Sequence, residues 1–490
     1  MNRKRLVVGL ILLLIGISVI PITAQDTEKL SQPTSRGNWL YVGGSGPGNY
    51  TRIQDAINNA SNGDTVFVFN GTYYEHIVIN KAIYLIGKNV NTTTIIDNFS
   101  GNSHAMLIQH DNVTIKGFTI KGEMTYDAIG LGSDYITIEG NRISSGVGIY
   151  VGSSYNSILY NNITGYGLPG SLQGCGIYID SIFSYNIIEH NSIFSGNGIS
   201  MPGNHNFINN NLIVQYDSTI LYGGSLNVIS NNTFRGSGLQ FYMVPGYDIV
   251  SNNTVNGKPL VFLDNTSNRV IDYDTGQVIL VRCDNITVAN QNFSYSPYSI
   301  QVLSSTHCHI VNNTISHCYG AFGSGAGIAI YNSDTITVTD NTLNSSAIQI
   351  GQYDFGYNNN IIISRNTFTA ERNQMANSIM ITNSNNITIS YNNLFNTFID
   401  LHYFCYNCNI CCNNYFTDIV DYKLAGIQVF VPLGSHNTFY HNYWWRPRLA
   451  PKPIFGTLYK GAEWPWDLLL PWLFIDWHPA LKPYDIPGMR

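Results

Sequence analysis

Asn383-Ser-Asn-Asn-Ile-Thr-Ile-Ser-Tyr-Asn-Asn-Leu394 is one copy of a pattern that recurs from about residue 111 to residue 444. It reads apolar, any, apolar, any, any, Asn, any, apolar, at Ile387, Ile389, Asn392 and Leu394. The same register fits Ile336, Val338, Asn341 and Leu343, then Ile361, Ile363, Asn366 and Phe368. Far upstream it fits Ile136, Ile138, Asn141 and Ile143. The Asn alone falls at 141, 161, 191, 211, 232, 253, 313, 341, 366, 392, 413 and 442. Steps of about 20 to 30 residues are the signature of a solenoid, with loops of varying length between turns. One step, Asn253 to Asn313, is long, and Gln291 stands in the register inside it.

The apolar pair at spacing two is a short half-buried strand. Ile387 and Ile389 face one side and Thr388 and Ser390 the other. The Asn sits at a bend, where its amide bonds nearby backbone and it tolerates left-handed conformations. Stacked copies place these amides in a ladder. A second strand type reads apolar-any-apolar, as in Ile149/Val151, Ile177/Ile179, Leu239/Phe241, Ile328/Ile330, Ile348/Ile350, Ile379/Ile381, Ile399/Leu401 and Ile427/Val429. Short strands with no helical period between them predict an all-β, right-handed parallel β-helix. About 14 coils at about 4.8 Å each give a rod of roughly 65 Å.

Composition fits that reading. Charged residues are 11% of the 490, and Thr, Ser, Asn and the 33 Tyr do the solvating. A net charge of −6 offers no basic stripe for a nucleic-acid partner.

In chain order, basic Asn2-Arg-Lys-Arg5, apolar Leu6 to Ile20 and small Ala24 predict a secretory signal peptide over 1–24, with an uncleaved membrane anchor as the alternative. Residues 25–38 read as a polar linker and 39–100 as an N-terminal cap with the first coils. Ile53, Ala56, Ile57 and Ala60 have helical spacing, suited to covering open strand edges. Repeats fill 101–442, with a hairpin-like excursion at 256–276 marked by the turn formers Asp264-Asn265 and Asp272-Tyr-Asp274. Residues 443–490 hold six of the seven Trp and read as an aromatic C-terminal cap, with an aromatic carbohydrate or partner site as the alternative.

Ile53-Gln-Asp-Ala-Ile57, Gly63-Asp-Thr-Val66, Gly71-Thr-Tyr73 and Leu85-Ile-Gly87 resemble the opening of NosD-like and pectin-lyase-fold proteins. Asn256-Gly-Lys-Pro-Leu-Val261, Gly276-Gln-Val-Ile-Leu280 and Asn285-Ile-Thr-Val288 resemble the NosD-like β-helix family more closely, notably its archaeal surface members. The resemblance covers roughly residues 39–445 and rests on cap and coil residues. It implies the fold, and through the family's name it implies copper-site maturation in nitrous oxide reductase. The 8 Met are scattered, with no gathered thioether ligands for Cu(I).

Candidate chemistry is sparse. The 30 acids are dispersed, whereas glycosidases need a carboxylate pair across the scissile bond. Asp400 and His402 share the outward face of one strand and are the candidate catalytic pair. Tyr150, Tyr178, Gln240, Gln301, Gln349 and Gln428 form an outward column whose rings and amides suit a sugar, or merely a cross-strand ladder. His307 and His309 are a candidate two-histidine metal site. The 8 Cys invite disulfides in an exported chain, but Cys308 and Cys408 hold inward, core-filling positions, and on one strand Cys408 and Cys411 point opposite ways. Sequons at Asn70, Asn91, Asn112, Asn162, Asn285, Asn312 and Asn386 are possible glycosylation sites, or by-products of the repeat. The expectation is a secreted or cell-surface, non-catalytic protein without a cofactor, its partners polysaccharide or envelope components, and membrane only through an uncleaved anchor. A polysaccharide lyase, hydrolase or epimerase is the alternative, and a copper-maturation factor the third reading.

Overall fold

A computed structural model describes residues 37–486 apart from 98–103, 125, 167–173, 216–218, 222–223, 242–243, 319–325, 352–355, 371–375, 417–425, 446 and 461–467. The signal segment 1–24, most of the linker, and Trp464 and Trp466 lie outside the described residues.

The repeat folds as its pattern requires. Each coil contributes one strand before the recurrent Asn, one after it, and a third of the apolar-any-apolar type. Ile138, Ile143 and Ile149, one from each strand of a single coil, are fully buried. Parallel pairing carries them along the axis: Ile138 pairs Ile158, Ile143 pairs Ile163, and Ile149 pairs Ile177. The fold is a right-handed parallel β-helix.

The coils form two stacks. In the N-terminal stack the first sheet has ten strands, from Trp39–Val42 to Ile249–Ser251. Its second sheet runs from Gly71–Tyr74 to Thr254–Val255 and its third from Ile77–Ile79 to Asn197–Ser200, followed by the pair Thr219–Leu221 and Leu239–Phe241. The helix Ile53–Asn59 packs Ile53, Ala56 and Ile57 into the same core. The Glu75 carboxylate accepts from the amides of Ile53 (2.8 Å) and Gln54 (3.0 Å), satisfying donors the first helical turn leaves open.

At Asn256-Gly257, both with positive φ (50° and 83°), the chain reverses. Lys258–Asp264 runs antiparallel to Thr254–Val255, as an Asn-Gly turn favours. The same strand then opens the third sheet of the C-terminal stack by pairing in parallel with Gln277–Val281. The long step in the Asn register is therefore a junction between stacks, and not only an excursion from one rod.

The junction is end against face. Val278, Leu280, Ile300, Val302, Ile328 and Ile330 point into the C-terminal core. Their alternates Ile279, Val281, Leu303, Ala329 and Tyr331 join the core of the N-terminal stack instead. Strands Gln277–Val281, Ile300–Leu303 and Ala326–Tyr331 are accordingly buried on both faces.

Buried asparagines run through each stack. In the N-terminal stack each Asn donates its backbone N–H and its Nδ2 to Oδ1 of the Asn one coil later, from Asn141 to Asn253. A second row, Asn156, Asn186, Asn206 and Asn227, ends on Asp248, whose Oδ1 accepts from the Asn227 amide at 2.7 Å. The C-terminal row runs from Gln291 to Asn442 and ends on Asp476. Within each row the side-chain oxygen accepts from the coil before, while Nδ2 of the recurrent Asn also donates back to a carbonyl of the preceding coil. What the last member must supply to the row is an acceptor, which Asn253 Oδ1 does in the first row and a carboxylate does in the other two.

Candidate functional site

The outward column breaks into three parts. The first lies on the third sheet of the N-terminal stack. Register places Leu107, Gly130, Tyr150, Tyr178 and Ser200 on successive strands. Tyr150 and Tyr178 stack, with ring centroids 5.7 Å apart and planes at 25°. The Tyr150 hydroxyl donates to Asp180 Oδ2 at 3.1 Å. Burial first, and this bond to Asp180 second, push the Tyr150 pKa up to about 12, so the phenol keeps its proton and serves as a donor.

Gly130 explains the other edge of this patch. A Cβ there would lie 2.7 Å from Nδ1 of His104, so the imidazole occupies the space a side chain would take. His104 Nδ1 sits 3.1 Å from Asp127 Oδ2 in an ion pair that exists when the ring is protonated, and the ring leans on Tyr150 at 6.2 Å. Two half-exposed phenol rings are thus fringed by Asp127, Asp180 and His104. Sequence reasoning missed these three. Asp180, two residues past Tyr178, and Asp127, on the strand before Tyr150, were the available signal.

The middle of the column is not a surface, which corrects the reading of Gln240 and Gln301 as exposed sugar ligands. They are 1% and 0% exposed. Gln301 does point out of its own stack, but that face is the junction. Its Oε1 accepts from the Phe241 amide (3.0 Å) and its Nε2 donates to the Leu239 carbonyl (2.6 Å). Gln277 does likewise, accepting from the Leu239 amide (2.9 Å) and donating to the Leu239 carbonyl (2.7 Å). Two glutamine amides thus stand in for the neighbouring strand that Leu239–Phe241 lacks. Arg282 completes the seam, donating to the carbonyls of Pro245 (2.7 Å) and Gly246 (2.9 Å) and pairing with Asp264.

The third part lies on the third sheet of the C-terminal stack, where Gln349, Met380, Asp400 and Gln428 are in register. The Gln428 side chain lies outside the described residues. Asp400 is only 9% exposed, and burial raises its carboxyl above the usual range, with His402 opposing. Burial also lowers the His402 imidazole, with Asp400 opposing. Both groups are biased toward their neutral forms.

The histidine pair does not converge. His307 is turned toward Asp284, with Nδ1 2.8 Å from Oδ1, while His309 is exposed on the next strand. The hydrogen bond from His307 is the main cause that lowers the Asp284 carboxyl. All eight Cys are free and buried, with Cys308 and Cys408 inward. Among the described residues no three of His, Cys, Asp and Glu gather into a metal-holding group. No helix among them is long and apolar enough to cross a membrane.

With two stacks of parallel coils and buried Asn ladders, the chain is a right-handed parallel β-helix protein. The family model described as right handed beta helix region matches residues 81–234, and that described as periplasmic copper-binding protein (NosD) matches residues 235–448. The resemblance to NosD-like β-helix proteins is thereby borne out. The boundary between the matches falls at the end of strand Thr233–Arg235, one coil before the junction. No curated protein matches. Among solved structures the chain is similar to the Dettilon tailspike protein (gp208), at 13% identity over 70% of this chain and 63% of that one, with a TM-score of 0.33. The chain thus spans less than two thirds of that protein. It is also similar to the PL6 family alginate lyase AlyGC (13%, 83% and 85%, 0.35) and to pectin methylesterase from carrot (10%, 65% and 84%, 0.24). For the copper named in that description, the described residues offer no group of three among His, Cys, Asp and Glu.

Proposed function

We propose that this chain is an exported, envelope-facing β-helix protein that binds carbohydrate on the Tyr150–Tyr178 patch without turning it over. The observation that carries this is the half-exposed pair of stacked phenols with Asp127, Asp180 and His104 around it. Ring edges and faces take the apolar side of a sugar, and the carboxylates and imidazole take its hydroxyls. The two carboxylates disfavour uronate polymers and favour uncharged glycans. Export is supported by the apolar run Leu6 to Ile20 and by the word periplasmic in the matching family's description.

The test is a glycan array with the full chain, run beside an assay for released oligosaccharide. Binding of neutral glycans without product, lost in Tyr150→Ala with Tyr178→Ala, is the expected result. No binding, or binding unchanged by the double substitution, refutes it. The second reading, a polysaccharide-active enzyme, has one observation in its favour, the desolvated Asp400–His402 pair. Released product that disappears in Asp400→Asn would establish it.

A further inference from the structure

Buried polar side-chain atoms are nearly always hydrogen-bonded, and each exception needs a cause. Three exceptions meet on the outer face of the C-terminal third sheet. Gln349 Oε1, Thr382 Oγ1 and Asp400 Oδ1 are buried and have no hydrogen-bond partner. Asp400 and Thr382 are 9% and 8% exposed. All three atoms can accept.

Their arrangement follows from the register. Gln349 pairs with Met380, and Met380 pairs with Asp400, so a glutamine and a carboxylate flank Met380 on the strands either side. Thr382 lies two residues beyond Met380, on the same face. With strands about 4.8 Å apart and about 6.6 Å between alternate residues, the three acceptors belong to residues that border Met380 on three sides. Gly351 lies against Thr382 with no room for a side chain, since a Cβ there would lie 2.0 Å from the Thr382 carbonyl oxygen and 3.0 Å from its Oγ1. Past Asp400, His402, Tyr403 and Phe430 pack their rings together at 4.3 to 5.6 Å. The site therefore combines three acceptors, one of them a carboxylate, with an aromatic wall.

We infer that this position is a binding site for a primary ammonium group, such as the amine of an amino sugar. An ammonium carries three donors and one positive charge. It satisfies three orphaned acceptors at once and pairs a carboxylate that is otherwise buried without a cation. The aromatic wall adds a cation–π contribution. A cation brings back the charged form of Asp400 that burial disfavours, which a neutral sugar does not do.

The site is independent of the Tyr150–Tyr178 patch, on another stack, so either assignment can fail alone. The test is calorimetric titration of the full chain carrying Tyr150→Ala and Tyr178→Ala, so that the other patch contributes nothing, with glucosamine, against N-acetylglucosamine and glucose. Glucosamine is expected to bind, with the two uncharged sugars at least roughly tenfold weaker. Asp400→Asn, similar in shape but uncharged, and Gln349→Ala, each added to that chain, should weaken glucosamine binding by a factor on the order of ten. Unfolding curves confirm that each variant is folded, and Gln349→Ala keeps the test alive if Asp400→Asn is not. Absence of binding up to roughly 50 mM, equal binding of N-acetylglucosamine, or glucosamine binding unchanged by both Asp400→Asn and Gln349→Ala each overturns the assignment.

Discussion

The N-terminal stack ends at Leu239–Phe241 against another part of the chain, whereas the C-terminal stack ends under its own hairpin. At the first end, Gln277 and Gln301 supply the missing strand's hydrogen bonds and Asp248 ends an asparagine row. At the second, strands Lys452–Lys460 and Leu468–Asp476 fold back antiparallel. They carry Ile454 and Leu458 into the core and deliver Asp476, fully buried, to the ladder. Asp476 accepts from the amides of His441 (3.1 Å) and Asn442 (3.0 Å), from Asn442 Nδ2 (3.3 Å) and from Trp444 Nε1 (3.1 Å). One repeat thus needs two things at each open end, an acceptor for the ladder and a cover for the edge strand. The chain supplies them once locally and once from a distance.

The comparison sets the order of expected effects. Asp476→Ala is the most damaging, because it orphans four donors together, three of them buried; the expected loss is about 3–5 kcal/mol in denaturant unfolding. A loss no larger than that from Asp248→Ala would break the ranking, since Asp248 receives fewer bonds. Gln277→Ala with Gln301→Ala removes five hydrogen bonds, four of them to Leu239 and Phe241, and leaves a cavity at the seam, costing roughly 2–4 kcal/mol. Calorimetry should then show two separated transitions where the parent shows one. A single, merely shifted transition would mean that the stacks are coupled elsewhere.

Asp400 and His402 give a smaller, pH-dependent effect. Asp400 is raised on folding, so the stability it contributes is full at low pH and is lost as pH rises from the usual carboxylate range through its raised value. This fall should vanish in Asp400→Asn. His402 is lowered, so its contribution is present above the ordinary imidazole value and is lost as pH falls through the lowered one. The facing residues Met380 and Phe430 carry no charge, so at this position Asp400 and His402 are the titrating pair, and their share of the profile is read as the difference between parent and Asp400→Asn. An unchanged pH profile in Asp400→Asn would contradict this.

The smallest effect belongs to the corner rings. Tyr135, Tyr155, Tyr185 and His205 stack at 5.3, 5.0 and 4.8 Å, all with positive φ. The backbone strain of about 1–2 kcal/mol per residue is partly offset by stacking worth about 0.5–1.5 kcal/mol. Tyr155→Gly, which relieves one and loses the other, should be near neutral by thermal unfolding, and Tyr155→Ala should cost about 1 kcal/mol.

The coil was legible because its signal is local. Ile387, Ile389, Asn392 and Leu394 state in eight residues which side chains face the core and where the chain bends, and the repeat multiplies the statement. The junction was not legible. Gln301 alternates outward just as Tyr150 does, and nothing nearby says that a second stack covers it. The site was legible in part for a related reason. Tyr150 and Tyr178 lie on the surface their alternation implies. His104 reaches them only because Gly130, on the strand between, has no side chain, and that depends on register across coils.

One experiment tests most directly whether the outward column is divided between ligand and seam. Glycan binding by Gln301→Ala is compared with that by Tyr178→Ala, each at a temperature where both are folded. The account expects Gln301→Ala to bind like the parent while unfolding earlier, and Tyr178→Ala to lose binding while unfolding nearly as the parent does. Binding lost in Gln301→Ala and kept in Tyr178→Ala would contradict it.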